Sequence, residues 1–381
     1  MSLPLTILLL SLLLVVYVYV LYPLMLFILT LNKKLDIKYS EEELEKISVL
    51  IAAYNEEEYI LECVQSVLEC DYPSQKIEIL IGSDGSTDKT DEILKELSAK
   101  HDNVSYYRLE RGGKNSVLNY LSDKMTGTIL VVLDADCRLK RESLLQTNSI
   151  LKNKIGCLVY SVEFYQNDNN TGSKGESFYQ KYDSFLRERE SLLKSNINSL
   201  GSHAIRKELF KKFPNDKVCD DLFSLLNTIK NNKKVLFSKK INIIDVRERN
   251  FGEEYQRRKR LVGGGLATIF SFPKLLSPTF GWTSLFLWSH KILRWYSAIL
   301  LILAYILSFF ILDTTIGYVF MSFFSITILL SIVGYLLEKN KLSNPLKLPL
   351  FFISMNIGFV EGIIQFYKKK QNAIWSRKGL E

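Results

Sequence analysis

Apolar and polar positions divide the chain into three stretches. Residues 3–31 run without a charge, long enough to cross a bilayer. The run has no basic start, is longer than the apolar core of a signal peptide and lacks a small-residue cleavage site. We therefore expect a membrane helix over 1–32. From about 46 to 250, short apolar runs (ISVLIAAY, IEILIGS, TILVVLDAD) alternate with amphipathic stretches such as EYILECVQSVLE and TDEILKELSAK. That alternation predicts parallel β-α-β units, an α/β domain whose ligands bind at the carboxyl ends of its strands. From about 293 the chain is apolar again, in segments near 294–312, 315–337 and 347–367, about three further spans within 293–367. The intervening 251–292 holds Gly, aromatics and Arg, and is expected to lie along the membrane interface. A basic tail, 368–381, follows.

Charge refines this picture. The 381 residues carry a formal net charge of +8. The basic residues collect beside the apolar runs, at Lys33-Lys34, Arg257-Arg258-Lys259-Arg260 and Lys368-Lys369-Lys370. This suits an anionic membrane surface rather than nucleic acid. Five cysteines and three histidines form no CxxC pair, which argues against a zinc site or a disulfide framework and for reduced thiols in a cytosolic domain. Four spans would put both termini on the side opposite the catalytic domain. The Lys368–Lys370 run and the IWSRK tail favour the cytoplasmic side instead. Either the charge rule fails here or one segment does not cross fully.

The candidate chemistry gathers at the strand ends. VVLDADCRL climbs through an apolar strand to Asp134 and Asp136. Two carboxylates one residue apart suit a hard divalent cation, Mg²⁺ or Mn²⁺, with substrate phosphates as the remaining ligands. Alone, the pattern is also that of a solvated turn. Two other polar signals end strands of the same domain. In AAYNEEEYI, Asn55 and Glu56 are expected to begin a helix. In GSDGSTDKT, Ser86 and Asp88 fit a helix cap, but capping leaves Asp84 unexplained.

Taken in order, ISVLIAAYNEEEYI, IGSDGSTDKT, RGGKNSVLN and VVLDADCRL resemble the motif series of family 2 glycosyltransferases of the GT-A type, across the whole soluble domain. The resemblance implies a GT-A (Rossmann-like) nucleotide-sugar domain inserted between transmembrane helices, with a UDP-linked sugar as donor. It implies that Ala53, Tyr54, Glu56 and Asp84 contact the uridine and that Lys114 sits near the base or the diphosphate. Asp134 and Asp136 would frame the diphosphate, Asp136 being the foremost metal ligand. One departure is that Ser83-Asp84 stands where the family often has two Asp.

An inverting transfer also needs a base for the acceptor hydroxyl. KVCDDLFSLLNTIK offers Asp220 and Asp221 at a helix start, where capping and dipole compensation are a sufficient structural reason. The resemblance implies a catalytic base at the second residue of such a pair, Asp221, with Asp220 the candidate if the register shifts by one. Here the pair is Asp-Asp rather than Glu-Asp. SLGSHAIRKELF resembles the acceptor-side loop, with Gly201 and Ser202 letting a sugar approach and His203 able to bond it. YQRRKRLVGGG matches the QxxRW-like motif of polymerising members only at Gln256. It leaves Arg258 and Arg260 as candidates for the diphosphate, or as a membrane-facing charge run. Glu361, inside the last apolar segment, is expected to face the bundle or a channel.

The expectation is a multi-pass cell-membrane enzyme with a cytoplasmic catalytic domain, a hexosyltransferase. It would move a sugar from a UDP-sugar to a growing glycan for extracellular polysaccharide, as chitin, hyaluronan or poly-N-acetylglucosamine synthases do. The rivals are one transfer onto a membrane lipid acceptor and a catalytically inactive membrane scaffold.

Overall fold

The computed structural model describes residues 2–34, 43–152, 154–164, 173–198, 201–214, 219–246, 251–337 and 346–369. The tail beyond 369, the domain edge at 247–250 and the loop 338–345 lie outside them. The chain divides into two compact units.

The first unit comprises Lys33–Gln166 and Arg187–Glu248, with 371–381. It is built on one eight-stranded sheet. The strands are β1 (Ile47–Ala53), β2 (Ile77–Asp84), β3 (Val104–Leu109), β4 (Ile129–Asp134), β5 (Cys137–Leu139), β6 (Ile155–Phe164), β7 (His203–Arg206) and β8 (Lys234–Asp245). Their order is β3-β2-β1-β4-β7-β6-β8-β5. The first four are parallel, as the strand–helix alternation predicts. Every residue of β1 is buried, as both faces of a parallel strand must be when helices cover the sheet.

The other half of the sheet departs from the all-parallel expectation: β7 runs antiparallel to both β4 and β6. This four-residue strand is too short to carry a periodic signal. Its register decides the site, because Val132 pairs with His203 and Val131 with Ala204. Continuing that register sets Gly201 opposite Asp134.

The parallel register brings the other strand ends to one edge. Ala52 pairs with Asp134, and Ala53 with Ser83. Helix Ile60–Leu68 begins well after Asn55, so Asn55 and Glu56 do not start it. Asn55 instead takes a left-handed φ of 53°, and its Oδ1 accepts the Thr87 amide. The Asn55 and Glu56 amides donate to Ser86 Oγ and Thr90 Oγ1. The turn after β1 is thus knitted to the loop after β2, and Ser86 serves that link rather than a helix cap. Asp88 does meet the next helix, accepting the Thr90 amide.

The second unit comprises Met1–Asn32, Asn167–Leu186 and Arg249–Lys370. Among the described residues it holds four helices long and apolar enough to cross a membrane: Leu3–Leu29, Trp282–Ile311, Thr315–Leu337 and Leu348–Tyr367. Large apolar side chains such as Leu10, Phe310, Phe323 and Leu336 stand exposed along them, which is affordable only in lipid. These helices mark a membrane protein.

The second span starts at Trp282 rather than near 294, so the stretch expected along the interface divides. It forms a helix, Phe251–Phe270, short turns over 273–280, and the opening turns of the span. Lys291 and Arg294 interrupt the apolar pattern and hide that start. Arg294 is nevertheless buried. Its Nη1 donates to Asp183 Oδ1 at 3.1 Å, and His290 Nε2 lies 3.1 Å from the same oxygen. Its guanidinium also stands over the rings of Tyr179 and Tyr182, at 4.6 and 5.3 Å. A paired charge inside a bundle costs far less than a bare one in lipid. The pairing also explains why 167–186, polar in sequence, goes with the membrane unit.

Glu361 does not stand alone in its span: its Oε2 lies 2.6 Å from Lys259 Nζ on helix Phe251–Phe270. That helix lies close against the last span. At Gly362 a Cβ would stand 2.7 Å from both the Lys259 carbonyl and Val262.

Candidate active site

The edge where β1, β2 and β4 end is lined by carboxylates, and the structure gives each a partner. Asp84 is wholly buried. Its carboxylate accepts the Gly112 amide at 2.7 Å and the Gly113 amide at 3.0 Å, and it pairs with Arg111. The RGG of RGGKN therefore closes over Asp84. The Arg111 guanidinium also lies 3.3 Å from the centroid of the Tyr54 ring. Asp84, the residue expected to contact the uridine, also anchors the loop that borders Tyr54. Arg111 was missed by sequence reasoning, although a cation directly before a glycine pair was visible there. Glu56 is buried and Tyr54 partly so, and Ala53 is the last residue of β1.

Lys114, at the start of helix Lys114–Ser122, reaches two acidic groups at once. Its Nζ lies 2.8 Å from Asp134 Oδ1 and 2.9 Å from Asp220 Oδ2. Burial works against its charge, but Asp134 and Asp220 outweigh burial and hold the ammonium well above its usual range. Asp220 is thus half of a structural ion pair.

Asp221 opens helix Asp220–Lys230 and is 7% exposed. Its Oδ2 accepts the Gly201 amide at 3.0 Å and its Oδ1 the Leu222 amide at 2.7 Å. A carboxylate oxygen has two lone pairs, so each can accept a further bond. Burial pushes its pKa up, neighbouring Asp220 pushes it further, and Lys114 and His203 pull it partly back. A buried carboxylate biased toward holding a proton is what a general base requires.

Gly201 has φ +117°, and a Cβ there would overlap Asp134 Oδ2. Ser202 Oγ accepts the Asp134 amide at 3.1 Å. His203 is fully buried, and its Nδ1 lies 2.9 Å from the Gly201 carbonyl. The three residues expected beside an acceptor thus form the turn between Asp134 and Asp221.

Asp134, Asp136 and Cys137 can bring one ligand atom each within 4.8 Å of one another. The donor set narrows the reading. Burial raises the Cys137 thiol well above its usual range, and Asp136 and Asp134 add to this. Burial favours the protonated thiol, and sulfur is a soft donor poorly matched to a hard divalent cation. Asp134 and Asp136 remain, a pair of hard oxygens that fits Mg²⁺ or Mn²⁺. Cys137→Ala is accordingly expected to leave the dependence of turnover on divalent cation unchanged, read by metal titration of activity. A shift of the half-saturating Mn²⁺ concentration by about tenfold would restore the thiol as a ligand. All five cysteines are buried and free, so none forms a disulfide.

Arg258 and Arg260 belong to the second unit. There Arg258 stands 4.4 Å from the Tyr179 ring centroid. The cluster at the sheet edge is built from first-unit residues.

Comparison with known proteins agrees with this arrangement. Residues 48–213 match the family Glycosyl transferase family 2. Among curated proteins, glycosyltransferase AglE of Haloferax volcanii is 30% identical over 176 residues, 44% of this chain and 56% of that one. The beta-monoglucosyldiacylglycerol synthase of Nostoc sp. is 29% identical over 151 residues, 39% of this chain and 32% of that one. The chain thus spans between a third and somewhat over half the length of these relatives. Among solved structures, the mannosyltransferase PcManGT from Pyrobaculum calidifontis, in complex with GDP-Man and Mn²⁺, superposes with a TM-score of 0.74 at 19% identity. It covers 96% of this chain and 99% of that one, a likeness of fold that includes the helices. With its four motifs in order along one sheet edge, this chain carries a domain, residues 48–213, that matches Glycosyl transferase family 2 and has the GT-A fold.

Proposed function

We propose that the protein transfers one sugar from a nucleoside diphosphate sugar, UDP-linked by the motif resemblance, to a hydroxyl of a membrane-lipid acceptor, with inversion. The catalytic domain would face the cytoplasm. The observation that carries the reaction is Asp221: a buried carboxylate with raised proton affinity, tied through Gly201 to the aspartate that begins DxD. Asp221 would take the acceptor proton as the acceptor oxygen bonds the anomeric carbon and the bond to the diphosphate breaks. A divalent cation held by Asp134 and Asp136 would neutralise charge on the departing diphosphate. Lys114 would exchange its carboxylate contacts for the diphosphate. Tyr54 would border the nucleoside.

The lipid acceptor is favoured over a growing polymer by the membrane unit. Glu361, expected to face the bundle or a channel, pairs with Lys259, and Gly362 lets the two helices close together. The named activity of the Nostoc relative, a glycolipid synthase, points the same way. Polymer synthesis is the second reading, supported by the 38% identity over 106 residues to a poly-beta-1,6-N-acetyl-D-glucosamine synthase of Staphylococcus epidermidis.

The test is turnover of a panel of UDP- and GDP-sugars by the full chain in lipid with Mn²⁺ or Mg²⁺, with products sized and Asp136→Asn run beside it. One glycolipid product, lost in Asp136→Asn, is expected. A ladder of products would establish the polymer reading. Turnover of no donor, with no nucleotide binding, would leave only the inactive scaffold.

A further inference from the structure

We infer that His203 is a positioning residue for the transfer reaction, holding the Gly201 peptide that ties Asp221 to Asp134; this rests on the transferase reading above. Gly201 lies at a φ of +117°, and a glycine has no side chain to fix its peptide planes. Three contacts do so instead. The Gly201 amide donates to Asp221 Oδ2. Its Cα stands against Asp134 Oδ2, where any Cβ would overlap. Its carbonyl accepts from His203 Nδ1 at 2.9 Å. A carbonyl only accepts, so Nδ1 carries the hydrogen.

The other ring nitrogen points to the same role. His203 is 0% exposed, and its Nε2 is buried without a hydrogen-bond partner among the described residues. A buried unpaired nitrogen is costly. A position in β7 that needed only volume would be filled by an apolar residue, as Ala204 and Ile205 fill the next two. The imidazole is present for its Nδ1 donor. Being fully buried, the ring touches no substrate and acts through Gly201. Without that bond the Gly201–Ser202 peptide plane is free to turn at the Gly201 Cα, which loosens the residue whose own amide, on the preceding peptide plane, orients Asp221.

Two substitutions separate the donor from the packing. In His203→Asn the side-chain amide nitrogen stands where Nδ1 does, whereas His203→Leu keeps bulk and loses the donor. Hydrogen exchange at the Gly201 amide, followed in the full chain in detergent, is expected to speed up in His203→Leu and to stay slow in His203→Asn. The kcat is expected to fall by about 100-fold in His203→Leu, the scale of a ~1 Å misplacement. The donor KM should move much less, and His203→Asn should restore most of the rate. Thermal melts show whether each variant folds. The inference is overturned if His203→Leu keeps both rate and protection, or if His203→Asn is as impaired as His203→Leu. Faster exchange with no loss of kcat overturns the positioning role alone. A parent chain inert toward every nucleotide sugar overturns the transferase reading and the inference with it.

Discussion

Asp221→Asn is expected to lower kcat by about 10²–10⁴-fold, the range general-base catalysis supplies, while nucleotide binding persists. Asparagine keeps the shape but offers one acceptor oxygen, so only one of the Gly201 and Leu222 amides keeps its partner, and it cannot take a proton. The pH profile carries an independent signature. Burial, reinforced by Asp220, raises the proton affinity of Asp221. The base works only when deprotonated, so the rate should fall as pH drops through that raised pKa. The acidic limb should then lie above the range of an exposed aspartate. In Asp221→Asn the residual rate should lose this limb. If Asp220→Asn costs more than Asp221→Asn and removes the limb, the two roles are exchanged. The Lys114 contact to Asp220 at 2.9 Å argues against that, since a carboxylate beside an ammonium is a poor base.

Gly201→Ala is expected to cost as much at the same centre, by geometry rather than by chemistry. An L-residue rarely adopts a φ of +117°, and the new Cβ would overlap Asp134 Oδ2. Moving Asp134 breaks its 2.8 Å contact with Lys114. Moving the peptide breaks the 3.0 Å bond to Asp221. Either way the metal-side carboxylate and the base lose their relation, which should lower kcat/KM by about 100-fold. The strained backbone should cost a further ~1–3 kcal/mol of stability. Paired measurements of kcat/KM and Tm check this. Full activity in Gly201→Ala would mean that the turn does not set the geometry of the site.

The sequence made the strand ends readable because burial and chemistry alternate there. A parallel strand must be apolar through its length, so Asp84 and Asp134 stand out where β2 and β4 end. The four spans were equally visible, since lipid demands long apolar runs. What escaped was set by partners far along the chain. The start of the second span was masked by Arg294, whose charge is answered by Asp183 from a different segment. Asn55 looked like a helix start because a capping side chain and a cross-loop clasp use the same residue type. The short β7 has no pattern of its own, and only its antiparallel pairing with β4 makes Gly201 a neighbour of Asp134. The burial of His203 escaped as well, because a lone histidine beside Gly-Ser gives no hint of it.

The pairing of β4 with β7 also says where this chain can change in length. Gly201 meets Asp134 because of a ladder of backbone bonds, whatever the contour of the chain between them. Residues added or removed well away from either strand, even within the stretch that belongs to the membrane unit, leave that register intact. One residue gained or lost between Gly201 and Ile205 would turn every side chain of β7 to the opposite face. Among natural or engineered variants, size differences should therefore accumulate before Gly201 and stop abruptly at it.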